Sequence, residues 1–247
     1  MSCQEVWTLS SGDPLAAAAE KAWKSGLVVV AAAGNDGSAN DTIAIPARNP
    51  YVIAVGASDS RGTSDPSDDS VAPFSSRAHG RSADLVAPGV GVVSVRVAGS
   101  VIDAQFPAAR QGTALFRGNG TSQATAVVSG GAALLLARYP KLTPDQVKAT
   151  MMRSTNYLDS DNVYAQGQGE LSIGNFMASS EPATRAESAQ RYCTIGGLLT
   201  TSSGGHAPGG NQPVSVNGNR WTGNRWTGNR WTGNRWTGGA WLGDAWG

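Results

Sequence analysis

The chain has 247 residues, 40% of them hydrophobic, enough for one sizeable core without requiring two. Nineteen Lys+Arg against eighteen Asp+Glu leave a net charge of +1, which excludes an overall field that would draw in nucleic acid or an anionic membrane. Cys3 and Cys193 have neither metal-ligand spacing nor the density of a disulfide scaffold, and no stretch approaches the roughly 20 apolar residues of a membrane span. The opening "MSCQEVWTLSSGD" has no signal-peptide pattern.

In chain order, Asp13-Pro14 opens a helix, with Asp13 as N-cap and Pro14 in the first turn, and Gly26 closes it. Directly after it, "LVVVAAAG" (residues 27–34) reads as a strand buried on both faces. A second apolar run, "YVIAVGA" (residues 51–57), and a third strand region, "DLVAPGVGVVSVRV" (residues 84–97), follow. Helix followed by buried strand, repeated, predicts an α/β fold with a mostly parallel sheet and helices on both faces. Residues 121–139 are apolar nearly all round and predict a central helix. Gly130-Gly131 inside it suggests close backbone packing, and Pro140 ends it. In "LTPDQVKATMMRS", Thr143 as N-cap, Pro144 at the first helical position and Gln146 as the capping-box partner predict a last amphipathic helix.

Beyond about Ser179 the composition shifts to Ser, Thr, Gly and Pro, and no helix or strand period remains. The domain reading is therefore 1–178 for the folded part, 179–218 for a linker, and 219–247 for a tail. That tail is the literal repeat "NRWTGNRWTGNRWTGNRWTG" decaying into "GAWLGDAWG", predicted to be disordered and low in complexity. It spaces Trp221, Trp226, Trp231, Trp236, Trp241 and Trp246 five apart, which fits neither one helix face nor one strand face.

Two places join small residues to one polar side chain at the end of a buried element, where doubly wound sheets put their sites. Asn35 in "AAAGNDG" reads on its own as a turn residue, and Ser122 in "GNGTSQATAVVSG" on its own as a helix cap. Together with what lies between them, they resemble the subtilisin-like serine peptidases. The matching stretches are "GLVVVAAAGNDG", "PYVIAVGASD", "FSSR", "DLVAPGVGVVSV" and "NGTSQATAVVSGGAALLLARYPKLTPDQVKATM", in that order over roughly residues 13–155.

The resemblance implies a partial subtilisin-like fold and peptide-bond hydrolysis through an acyl-enzyme at Ser122. It implies that the Asn35 side-chain amide and the Ser122 backbone N–H donate to the oxyanion, and that Ala32, Ala33 and Gly34 wall the pocket for the residue before the cut bond. It further implies a protein or peptide substrate, an extracellular or cell-envelope location, and no cofactor. The motif departs from the usual family pattern at two positions. Gln123 stands where methionine is common, facing solvent or substrate, and Ala126 stands where proline is common.

What the resemblance does not supply is the base. The two histidines, His79 in "SSRAHGRSAD" and His206 in "SGGHAPGG", lie outside the family's His-Gly-Thr-His setting and read as exposed loop histidines. No aspartate occupies the family's preceding strand setting. In this family the triad runs Asp, His, Ser, so the chain reads as the carboxyl-terminal part of the catalytic domain, inactive alone. The absent strands would leave an open sheet edge beside residues 27–33.

The competing reading is a non-catalytic remnant whose tail does the binding. Four arginines against Asp244 leave that tail at +3, and each arginine precedes a tryptophan, a pattern suited to stacking on the sugars of a cell-envelope polysaccharide. Single-stranded nucleic acid is a weaker fit. Asp36, Asp41, Asp65, Asp68 and Asp69 read as solvated loop acids, and no metal is assigned.

Overall fold

A computed structural model describes residues 12–158, 163–178, 193–195 and 198–200. Helix α1 (Pro14–Lys24) begins where the Asp13 carboxylate accepts hydrogen bonds from the Leu15 and Ala16 N–H groups at 2.9 and 3.0 Å. Lys21 and Lys24 sit at its negative end, and Gly26 (φ 98°) turns the chain back.

The main sheet is built on β2 (Ile53–Asp59). Strands β1 (Val30–Ala32) and β4 (Leu85–Pro88) pair parallel with it, and β3 (Ser70–Val71) joins its end antiparallel. Along β2 the side chains alternate between two layers. Ile53, Val55 and Ala57 pack with Val128 and Leu135 of α3 (Thr121–Arg138) and with Val147 and Met151 of α4 (Pro144–Arg153). Val52 and Ala54 pack with Ala19 of α1 and Ile43. This is the expected α/β sandwich, and β2 is the strand that is buried on both faces.

Four expectations change in three dimensions. Strand β1 is not buried on both faces: only Val30–Ala32 pair, Val28–Val30 are half-buried, and Leu27 is 61% exposed. The reason is that β1 has β2 on one side and no strand on the other among the described residues. Residues 84–97 are not one strand. β4 ends at Pro88, and Gly91 (φ 65°) redirects the chain so that β5 (Val92–Val95) pairs antiparallel with β7 (Leu115–Gly118) in a second sheet. Strand β6 (Arg110–Gln111) lies on the other edge of β7.

The third change is in α3, which is central but not buried all round: Val128, Ala132 and Leu135 face the sheet while Leu134 is 48% exposed. Gly131 is where its backbone meets a neighbour, since a Cβ there would lie 3.2 Å from Leu171 and 3.4 Å from Met151, whereas Gly130 faces open space. The fourth is a short hairpin inside the stretch read as linker, β8 (Cys193–Ile195) antiparallel to β9 (Leu198–Thr200). Gly196-Gly197 between two short apolar runs was the signal for it. The tail, His206, Cys3 and the opening segment lie outside the described residues.

Between β5 and β6 the chain forms α2 (Val101–Gln105) and a 3₁₀ turn (Pro107–Ala109), which no periodicity announced. Asp103 ties this excursion down. Arg96 grips both of its oxygens at 2.6 and 2.9 Å and Arg110 one of them at 2.8 Å. The Arg96 hydrogen bonds above all hold its carboxyl far below the usual carboxylate range.

Helix α4 carries the anticipated capping box: Thr143 accepts from the Gln146 N–H, and the Gln146 side chain accepts from the Thr143 N–H. From α4 the fully buried Lys148 reaches the sheet, donating to the carbonyls of Pro50 and Val52 at 2.9 and 2.8 Å and pairing with Asp84 at 3.0 Å. Arg81, also buried, binds the same carboxylate. Burial lowers Lys148 to about 8 against the opposing pull of Asp84. Burial alone would raise Asp84, but Arg81 and Lys148 outweigh it and hold the acid ionised. Two short helices, α5 (Val163–Gln166) and α6 (Ile173–Ala178), complete the domain. No helix among the described residues is long and apolar enough to cross a membrane.

Candidate active site

Three carboxyl-side strand ends converge on the start of α3. The chain leaves β1 through Ala33-Gly34-Asn35, leaves β4 through Gly89, and enters α3 from β7 through Asn119-Gly120. Gly120 takes φ 149°, ψ 158°, a conformation open to glycine, and its N–H donates to the Gly89 carbonyl at 2.8 Å. Gly89 must itself be glycine, because a Cβ there would meet the Ala57 Cβ at 2.6 Å and the Gly120 oxygen at 2.8 Å. The approach of β4 to the turn before Ser122 therefore depends on two missing side chains.

Asn35 and Ser122, 87 positions apart, are brought together by Thr121. Asn35 is buried, and its Oδ1 accepts from both the Thr121 N–H and the Thr121 hydroxyl, each at 2.9 Å. The Thr121 hydroxyl in turn accepts from the Gly34 N–H at 3.3 Å. With Oδ1 engaged twice, the amide orientation is set, with Oδ1 as its accepting end and Nδ2 as its donating end. Nδ2 lies 3.4 Å from where a Gly120 Cβ would be, at the turn that leads into Thr121 and Ser122. Ser122 is half-buried in the first turn of an 18-residue helix, where unpaired N–H groups and the dipole favour negative charge. Thr121 was not singled out from the sequence; as one threonine in "NGTSQ" it carries no spacing signal, and its role appears only through the contact with Asn35.

Gln123 lies back over the same turn. Its Oε1 is 2.7 Å from the position of a Gly120 Cβ and is buried with no hydrogen-bond partner. An acceptor left in this state awaits a donor that the described residues do not provide.

The other site expectations separate. Ala32 is half-buried and Gly34 (φ 105°) lies at the turn, with room for a Cβ denied by Ser76 Oγ at 2.9 Å. Ala33 does not line a cleft: its side chain is fully buried in the layer with Ile43 and Ala47, its N–H donates to Val55 and its carbonyl accepts from Ala44. His79 is exposed as anticipated but is held. Its Nδ1 and its backbone N–H both contact Asp41 Oδ1, at 2.9 and 2.8 Å, and its ring packs on Tyr164 of α5 at 4.5 Å. It makes no contact with Ser122. Of the acids read as solvated, Asp41 stays exposed beside this histidine, whereas Asp69 is buried at 7% exposure, which corrects the reading for Asp69.

A model of the subtilase family, Peptidase S8, matches residues 3–170. The serine protease AprX of Bacillus subtilis (strain 168) is 44% identical over 161 residues, covering 63% of this chain and 36% of AprX. Subtilisin of Bacillus pumilus is 36% identical over 170 residues, covering 66% of this chain and 54% of that protein. The chain thus spans between about a third and a little over half of these curated relatives. Among solved structures, fervidolysin from Fervidobacterium pennivorans, a keratinolytic enzyme related to subtilisin, superposes with TM-score 0.54 at 28% identity, covering 68% of this chain and 25% of that one. With the family's motif residues gathered at one helix start and two thirds of its length matched, the chain belongs to the subtilase family.

Proposed function

We propose that this domain is the nucleophile-bearing part of a serine endopeptidase. In this reading the Ser122 hydroxyl attacks the scissile carbonyl, and the resulting oxyanion takes hydrogen bonds from Asn35 Nδ2 and the Ser122 N–H. The observation that carries it is the double engagement of Asn35 Oδ1 by Thr121, the residue before Ser122, which makes Nδ2 the donating end of a fixed amide. An amide held in place before substrate arrives stabilises developing charge without reorganising. The substrate is a protein or peptide, whose backbone N–H groups are also the donors that the buried Gln123 carbonyl lacks. Ala32 and Gly34 form the pocket wall, and the location is extracellular or at the cell envelope.

Within these 247 residues the two histidines are His79 and His206, and His79 is engaged by Asp41 and Tyr164. Among the described residues no histidine is bonded to Ser122, and in this reading the 247 residues by themselves are inactive. The test is incubation of the purified chain with a fluorophosphonate probe and a peptide substrate. Neither labelling nor cleavage is expected, while labelling in the presence of a segment bearing the family's Asp and His would establish Ser122 as the nucleophile. Stoichiometric labelling of the chain alone that is lost in S122A would show that a base is already present.

The Trp-Arg repeat favours a second reading, in which the tail binds cell-envelope polysaccharide and the domain serves as scaffold. Retention of the isolated repeat on cell-wall polysaccharide, abolished by Trp→Ala substitutions, would support it, and passage without retention would remove it.

A further inference from the structure

A second polar cluster, outside the nucleophile turn, lies at the end of β2. Ser58 is fully buried, Glu170 is 5% exposed and Asp69 is 7% exposed. The Ser58 hydroxyl donates to Glu170 Oε1, and the Glu170 and Asp69 side chains hydrogen-bond to each other. Two ionised carboxylates have no donor between them, so a hydrogen bond of this kind requires a proton on one of the two acids. No Lys or Arg among the described residues forms an ion pair with Glu170.

The backbone leaves Glu170 no retreat. Its N–H and carbonyl are both bonded to Asn156, at 2.7 and 2.8 Å, and it bridges Val86 of β4 on the other side. The preceding Gly169 (φ 118°) lies so close to the chain that a Cβ would be 2.3 Å from the Asn156 oxygen. The groups facing Glu170 are Ser58 from β2, Asp69 from the segment before β3, Val86 from β4 and Asn156 from the strand-like stretch beyond α4. Asp69 is the titratable one among them. Asp84, on the β4 side, is taken up by Arg81 and Lys148.

We propose that Ser58, Asp69 and Glu170 form a proton-dependent clasp, closed when the two acids share a proton and opened when that proton is lost. It fastens three separated segments: the end of β2, the acidic loop before β3, and the stretch that follows α5. Its position ties it to the nucleophile turn. The Ser58 carbonyl accepts from the Gly89 N–H at 2.9 Å, and the Gly89 carbonyl accepts from the Gly120 N–H at 2.8 Å. An open clasp leaves Ser58 beside two like charges directly beneath that ladder.

The pH window follows from the acid's environment. Burial first, then the hydrogen bond to Asp69, pushes Glu170 up to about 7. An acid raised in the folded state keeps its proton while the unfolded chain loses one. The stability it contributes is therefore present below the ordinary glutamate value and falls as pH rises through 7.

The experiment measures urea unfolding midpoints of the full chain from pH 5 to pH 9, for the unaltered protein and for E170Q. Glutamine is near isosteric, donates to Asp69 and accepts from Ser58 at every pH. The unaltered chain is expected to lose midpoint steadily between about pH 5 and 8, and E170Q to lose much less. In parallel, the ¹³C carboxyl resonance of Glu170, identified by its loss in E170Q or by sequential assignment, should titrate near 7 and move downward in D69N. An ordinary glutamate midpoint near 4.5 would overturn the proposal, as would E170Q following the pH dependence of the unaltered chain. Should E170Q fail to fold, the titration of the unaltered chain decides by itself.

Discussion

The turn at Ser122 and the loop at His79 each hold a polar side chain by two hydrogen bonds to one oxygen, yet they differ in solvent. At the turn, Asn35 Oδ1 takes both of its bonds inside the protein, under a glycine junction that excludes any side chain. At the loop, Asp41 Oδ1 takes two bonds from His79 with both side chains well exposed, 66% and 47%. The same number of bonds therefore carries different energies, because an exposed pair is exchanged for water at little cost and a buried one is not. An Asp–His pair is present in the chain, but burial and convergence, which make a site, belong to the turn.

That contrast can be broken or sharpened by experiment. The largest effect concerns chemistry: on the proposal that neither histidine serves Ser122, turnover should be depressed by about 10⁶-fold, a magnitude borrowed from subtilisin itself, where loss of the serine or histidine has this effect. A peptide-cleavage assay on H79A checks whether His79 supplies any residual rate; none is expected to be lost. Next, Gly89→Val should destabilise by about 1–3 kcal/mol or more through forced overpacking against Ala57 and Gly120, read as a lower urea midpoint.

Thr121→Val should cost about 1–3 kcal/mol, since it leaves the buried Gly34 N–H without its acceptor and removes one of the two bonds from Thr121 to Asn35 Oδ1. The same variant should loosen the Asn35 amide, visible as shifted side-chain N–H₂ resonances that exchange faster with solvent. At the small end, His79→Ala should change stability by about 0–1 kcal/mol, with the effect shrinking further at high salt. A loss at His79 equal to that at Thr121 would erase the distinction between turn and loop.

Much of the scaffold was readable in the amino-acid order because its signals are local. Asp13-Pro14 and Thr143-Pro144 with Gln146 cap their helices by contacts within three residues, and "YVIAVGA" announces a strand by apolar continuity alone. The misread elements are those whose state depends on a distant neighbour. The run at residues 27–34 looks as apolar as β2 but has no strand on its outer edge among the described residues. Residues 84–97 look continuous, but β5 finds its partner in β7, some twenty residues on, and leaves the main sheet. Ala33 resembles its neighbours Ala32 and Gly34 in sequence, yet strand alternation turns its side chain into the core.

For the site, the sequence by itself determined which residues were present: Ser122 at a helix start, Asn35 past a strand end, and the order of motifs that marks the family. It also determined that neither histidine stands in the family's base setting. Tertiary structure alone decided that Thr121 clamps Asn35, that Gln123 turns a carbonyl into the same turn, and that Asp69 meets Glu170 beneath it. The physical reason is range. Caps and apolar periods act over a few residues and leave a trace in composition, whereas hydrogen bonds between residues 86 or 101 positions apart exist only after the strands have packed, and nothing in the local order records them.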